Sequence, residues 1–174
     1  MKLVKRFSEP VFSRAIGLQG ELLVDAALPL AGFNVTARNA NSFQERVWLR
    51  TNHNLDRVVE RNGVSYGVEI KNTLPYIDRD EFRIKMEMCS FLGLRPLFVS
   101  RMAPKNYNYE LIQHGGISWI LGVQFYPFGQ EEFANTVQQE LQLPVACRER
   151  IQDGDVTRLV KATEWGLRHR PSLR

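Results

Sequence analysis

The chain has 174 residues, the size of one ordinary domain, with 44% hydrophobic and 24% charged residues, a globular rather than a disordered balance. No apolar run approaches the roughly 20 residues that a membrane helix needs, and Cys89 and Cys147 are too few for a disulfide framework or a zinc site. The net charge of +4 is concentrated at the ends: residues 1–20 carry Lys2, Lys5, Arg6 and Arg14 against Glu9, and residues 145–174 carry seven Arg and Lys against four acids.

In chain order, a first helix is expected from Gly17 to about Leu28, where Leu18, Leu22, Asp25 and Leu28 mark the turns and Pro29 to Gly32 the end. Phe33 to Ala37 reads as a strand, and Val47 to Arg50 continues strand-like after an Asn-rich connection. Leu55 to Arg61 and Val64 to Lys71 are the clearest strands, with Asn62-Gly63 between them. Asp80 to Leu92 is helical and closed by Gly93, Leu97 to Ser100 is a short apolar strand, and Pro104 to His114 is another helix. Ile117 to Tyr126 is strand-rich with a break at Gly122, Gln130 to Leu141 is a surface helix, and Val156 to Leu167 a last one. This order is mixed α/β. No repeat or linker divides it, so one domain is expected over residues 1–174, with a core of about 14–143 and a basic helical extension of about 144–174.

Asn62-Gly63 is the preferred pair for a two-residue type I′ turn, because both central positions take positive φ. Such a turn sets Arg61 across from Val64, and therefore Asp56 across from Glu69 and Asn54 across from Lys71. Alternation puts Asp56, Val58, Glu60, Ser65, Gly67, Glu69 and Lys71 on one face. Leu55, Val59, Val64, Tyr66, Val68 and Ile70 take the other, which is the expected core face, with Arg57 as its one misfit. Two carboxylates directly opposed on a sheet repel. A shared proton with one raised pKa, a neighbouring cation such as Lys71, or a divalent metal would each offset that repulsion. Otherwise the same residues form a solvated ion cluster on an exposed face. Gly67, between the acids and the turn, leaves room there for something bulky.

The pattern Asn54-Leu55-Asp56, twelve residues, then Glu69-Ile70-Lys71-Asn72 resembles the PD-(D/E)xK nuclease superfamily, which includes restriction endonucleases and archaeal-type Holliday junction resolvases. The helix segment Gly20-Glu21-Leu22-Leu23-Val24 is similar to the acid-bearing first helix of the resolvase-like members, and the likeness extends over about residues 17–125. Leu55 stands where the motif names a proline, a substitution that the superfamily tolerates. The resemblance implies a restriction-endonuclease-like core, a central mixed β-sheet flanked by helices on both faces. It implies that Asp56 and Glu69, helped by the Ile70 main-chain carbonyl, hold Mg²⁺, for which Mn²⁺ substitutes. It further implies that Lys71 positions or activates the attacking water, and that Glu21 binds a second metal or orders a metal-bound water. Metal-assisted phosphodiester hydrolysis is consistent with those residue types.

Other candidates have ordinary readings beside functional ones. Asn72 is a backbone-phosphate contact or a turn hydrogen bond. Arg101 and Lys105 follow a strand reached from the Glu69 strand by a helical crossover, so they are expected at the same end of the sheet as phosphate contacts. His53 is a loop histidine near Asp56, His114 a helix C-terminal residue, and His169 part of a basic tail. Tyr107 and Tyr109 either stack on bases or pack a helix start. The amphipathic run Val156, Leu159, Val160, Thr163 and Leu167 docks on the core, pairs with another subunit, or lies along DNA. The basic start, Met1-Lys2-Leu3-Val4-Lys5-Arg6, is not followed by an apolar stretch and cleavage site, so no secretory signal is expected. The expected protein is a cytoplasmic, metal-dependent DNA endonuclease with no membrane partner. RNA is not separated from DNA as substrate, and a homodimer is consistent with the resolvase-like members. The alternative is a catalytically silent nucleic-acid-binding or assembly module on the same fold.

Overall fold

The computed structural model describes residues 9–168. The basic residues Lys2, Lys5, Arg6, Arg170 and Arg174, together with His169, lie outside the described residues. The fold is α/β, with a mixed five-stranded sheet flanked by helices. Among the described residues no helix is long and apolar enough to cross a membrane.

Helix α1 spans Pro10–Leu30 and is longer than expected at both ends. Pro10 suits the first helical position, where the missing N–H has no partner to lose. Phe12 and Ile16 then extend the buried stripe of Leu23, Val24, Ala27 and Leu28. Strand β1 (Asn34–Ala40) follows, then a short hairpin of β2 (Ser42–Phe43) and β3 (Arg46–Val47). The strand expected over Val47 to Arg50 is not formed. The chain turns inward after β3 because Trp48 is buried, its Nε1 donating to Thr51 Oγ1 and its main-chain N–H to Asn41 O.

Strands β4 (Leu55–Arg61) and β5 (Val64–Lys71) form the expected hairpin. Asn62 and Gly63 have φ of 51° and 71°, and the ladder runs in the expected register from Arg61↔Val64 to Arg57↔Val68. Helix α2 (Arg79–Leu92) starts at the Asp78 cap, whose side chain accepts from Glu81 N–H, and ends at left-handed Gly93. It crosses to β6 (Arg95–Ser100), which pairs parallel with β5. Helix α3 (Lys105–Gln113) leads to β7 (Ile117–Ile120), again parallel. The strand order is β1-β4-β5-β6-β7. A small parallel pair, β8 (Gln124–Tyr126) with β9 (Val145–Cys147), flanks α4 (Glu131–Leu141). Strand β9 was not expected, since three residues paired only at long range carry no periodicity of their own. The last helix, α5, spans Asp153–Arg168.

Both faces of the sheet are buried, as parallel crossovers require. Val59, Tyr66, Val68, Ile70, Leu97, Val99 and Trp119 face α1 and α5, whose Val156 and Leu159 belong to the same core. The amphipathic C-terminal run therefore docks on the core. On the opposite face, Leu55 and Val58 pack with Met88, Cys89 and Leu92 of α2, and Phe98 packs with Phe82 and Met86 of α2 and Leu111 of α3. Two expectations are corrected here. Leu55 packs on the Val58 side, beside α2, and not with Val59 and Tyr66. The space at Gly67 is already filled: a Cβ there would stand 2.7 Å from Cys89 Sγ and 2.8 Å from a Leu55 methyl.

Candidate active site

Strand β5 is where the sheet changes from antiparallel pairing, with β4, to parallel pairing, with β6. In open α/β sheets ligands bind beyond the carboxyl ends of the parallel strands. Glu69 and Lys71 lie at that end of β5, and Asp56 at the adjoining start of β4. Beyond the last ladder pair, Asp56 Oδ2 accepts the main-chain N–H of Ile70 at 2.6 Å, which leaves Oδ1 for another partner. Burial pushes the Asp56 pKa above its ordinary value. The Ile70 N–H, Lys85 and Lys71 pull it down, while the charge of Glu21 pushes it up.

Glu69 is buried, at 3% exposure, and faces two lysines. Its Oε2 is 2.5 Å from Lys85 Nζ and its Oε1 is 3.4 Å from Lys71 Nζ. The first contact has the distance of an ion pair without the angle of a hydrogen bond. Burial, reinforced by the Asp56 charge, pushes the Glu69 carboxyl up to about 7, against the pull of Lys85 and Lys71. The Lys71 ammonium also donates to Glu81 Oε1 of α2 at 2.7 Å. Burial disfavours its charged form, but Glu81 and Glu69 outweigh that and raise its pKa. Two acids and a lysine from one hairpin are thus brought together, as the register predicts, although the acids are enclosed rather than set on an exposed sheet face.

Arg57, the misfit of the apolar face, is satisfied from α1. Its Nε donates to Asp25 Oδ1 at 2.8 Å, and its NH2 to Glu21 Oε2 at 2.9 Å and Asp25 Oδ2 at 3.0 Å. Its NH1 donates to the main-chain oxygen of Asp56 at 2.6 Å. The four-residue spacing of Glu21 and Asp25 puts both on one helix face, where a single guanidinium spans them. Burial would raise the Asp25 carboxyl, but Arg57 and Arg38 hold it below its ordinary value. Glu21 is therefore beside Asp56, as expected, yet committed to Arg57.

Asn72 falls outside the group of solvent-facing contacts. It is buried, and its Nδ2 donates to Ile16 O and Phe125 O while its Oδ1 accepts from Phe125 N–H, each at 2.7 Å. The amide is spent on joining α1, β5 and β8, which removes it from the phosphate contacts. Arg101 follows β6 at the expected end of the sheet, with Nε and NH2 donating to Leu74 O at 3.1 and 2.6 Å. Lys105 is exposed at the start of α3. Tyr107 packs against Tyr76 and Phe82, whereas Tyr109 is exposed. His53 Nδ1 meets Thr51 Oγ1, and His114 caps the end of α3.

Sequence reasoning missed Lys85 and Glu81. Lys85 interrupts the buried stripe Phe82, Met86, Cys89 of α2, and a cation in an apolar stripe is the same signal that marked Arg57. Among the described residues no group of three or more His, Cys, Asp or Glu converges to hold a metal. The donors that do converge, two carboxylates beside a strand-end main chain, suit a magnesium ion. Such an ion accepts one or two carboxylates and fills its remaining positions with water and substrate oxygens. Comparison of the chain with protein-family models, with curated proteins and with solved structures finds no match in any of the three.

Proposed function

We propose that the chain is a magnesium-dependent nuclease on a restriction-endonuclease-like core, hydrolysing DNA phosphodiester bonds at the Asp56–Glu69–Lys71 end of the sheet. The observation that carries this reading is the buried Glu69 carboxyl, its pKa raised by burial and by the charge of Asp56, with the Lys71 ammonium beside it. Asp56, Glu69 and the Ile70 main-chain carbonyl would hold Mg²⁺, and Mn²⁺ would substitute for it. When bound, the ion supplies Lewis acidity, easing deprotonation of a water and offsetting charge on the phosphate oxygens.

The chain's own residues do the rest. Asp56 is held by the Ile70 N–H, so one carboxylate oxygen is fixed in direction before any ligand arrives. Lys71, kept in place by Glu81, orients the attacking water and faces the negative charge that develops on the phosphate. Arg57 anchors Glu21 and Asp25 behind Asp56, which gives Glu21 a supporting part. Lys105, and Arg101 through its remaining guanidinium donors, would meet flanking phosphates.

One observation favours the alternative of a silent nucleic-acid-binding module: Glu69 and Lys71 already have internal charged partners, Lys85 and Glu81. Cleavage of labelled linear duplex, single strand, four-way junction and structured RNA, in Mg²⁺ or Mn²⁺ against EDTA, separates the two. Metal-dependent cutting that falls by about 100-fold or more in Lys71→Ala and Asp56→Asn supports the nuclease. Binding without cutting, kept or strengthened in Asp56→Asn, supports the silent module.

A further inference from the structure

We propose that Lys85 is the resident cation of this site, occupying the place beside Glu69 that a divalent ion takes, so that metal binding is a displacement of the Lys85 ammonium from the carboxylate. The inference rests on the metal-site reading above and adds to it what the metal must compete with.

Lys85 is nearly as buried as Glu69, with side-chain exposures of 5% and 3%. Its Nζ meets two oxygens at once, Glu69 Oε2 and the main-chain oxygen of Asn54, to which it donates. Its charge also acts on Asp56. An ammonium held between a carboxylate and a carbonyl, with a second carboxylate close enough to feel its charge, stands in for a small hard cation. A long-range reason for its presence is clear. Two buried carboxylates side by side are destabilising unless a cation accompanies them, and α2 supplies that cation from its buried face.

The two lysines are not equivalent. Lys71 sits farther from Glu69, at 3.4 Å, and is drawn outward by Glu81 at 2.7 Å, so it can remain when an ion arrives. Lys85 is in direct contact at 2.5 Å on the enclosed oxygen, and must give way there. The Asn54 carbonyl gives its ammonium a partner to keep as it loosens from Glu69, so the displacement need not expel the side chain into solvent.

The test is Mn²⁺ binding to the full chain, followed by titration calorimetry and by the thermal shift at fixed Mn²⁺. Lys85→Gln is the primary variant, since it removes the charge and keeps an N–H donor on the side chain. Lys85→Met is the second, in case the amide is not accommodated. Lys71→Gln controls for the general effect of deleting a nearby positive charge, and Asp56→Asn locates the ion. The expected result is Mn²⁺ binding about tenfold tighter or more in the Lys85 variants. The gain in Lys71→Gln should be clearly smaller, and binding should be lost in Asp56→Asn. Metal-free Lys85 variants should also melt lower than the parent and recover more on Mn²⁺ addition. Unchanged or weaker binding in the Lys85 variants, with the parent binding normally, overturns the inference, as does an equal gain in Lys71→Gln. If neither the parent nor the Lys85 variants bind Mn²⁺, the metal site itself is wrong and the displacement falls with it.

Discussion

At the residue scale, Glu69 has the largest consequence for how the protein responds to pH. Its ordinary pKa of 4.5 rises to about 7 on burial. A carboxyl with a folded-state pKa above its unfolded value holds its proton better when folded. In that window the native state binds more protons, and stability falls as pH rises. The metal-free protein should therefore lose stability between about pH 4.5 and about pH 7, by an amount on the order of 3 kcal/mol. Asp56 moves in the same direction. Urea unfolding midpoints measured in EDTA across that range check this, with Glu69→Gln expected to reduce the slope. A midpoint that rises over the window would contradict the raised pKa of Glu69. The Glu69 and Asp56 positions were legible because the Asn62-Gly63 turn fixes register by local geometry alone. Lys85 was not, because its partner is sixteen residues away in sequence and is met only after α2 folds back over the sheet.

At the element scale, Asn72 acts as a clasp. Three of its polar contacts reach α1 and β8, and Gln124 Nε2 returns a bond to its main-chain oxygen at 3.1 Å. Gly20 makes this approach possible, since a Cβ at that position would lie 2.4 Å from Asn72 Cβ. Asn72→Ala removes the partners of both main-chain groups of Phe125 in the interior, and should cost about 3 kcal/mol in chemical denaturation. Unaltered stability coupled to weaker nucleic-acid binding would restore Asn72 as a phosphate contact. Elements with strong local signals, such as β4, β5 and α2, were legible to within a residue. The β2–β3 hairpin and β9 were not, because each is held by pairing and by buried anchors such as Trp48 rather than by its own pattern. The start of α1 was missed for a similar reason: Phe12 faces Tyr126 and Phe133, contacts that only the assembled fold provides.

At the scale of the whole molecule, the sheet is sandwiched between α1 and α5 on one side and α2 and α3 on the other. The alternation of β4 and β5 reads as a half-exposed hairpin only while α2 is ignored. Once α2 is in place, the face carrying the acids becomes interior at Val58 and Gly67 and opens only at the strand ends. The last helix is tied in as well, with Trp119 Nε1 donating to Asp155 O and Arg61 bonding Thr163. The Cys89 thiol, wedged into the gap that Gly67 leaves beneath α2, is fully enclosed, and burial pushes its pKa to about 12. Nature has thereby left a built-in clock in the structure. In a Cys147→Ser background, a thiol-specific reagent can reach Cys89 only when α2 lifts from the sheet, so the labelling rate counts those openings. Labelling should be slower than in a denatured control by orders of magnitude, and should quicken with urea in step with loss of the fold. Prompt labelling under native conditions would mean that the helix bearing Lys85 rides loosely over the carboxylates.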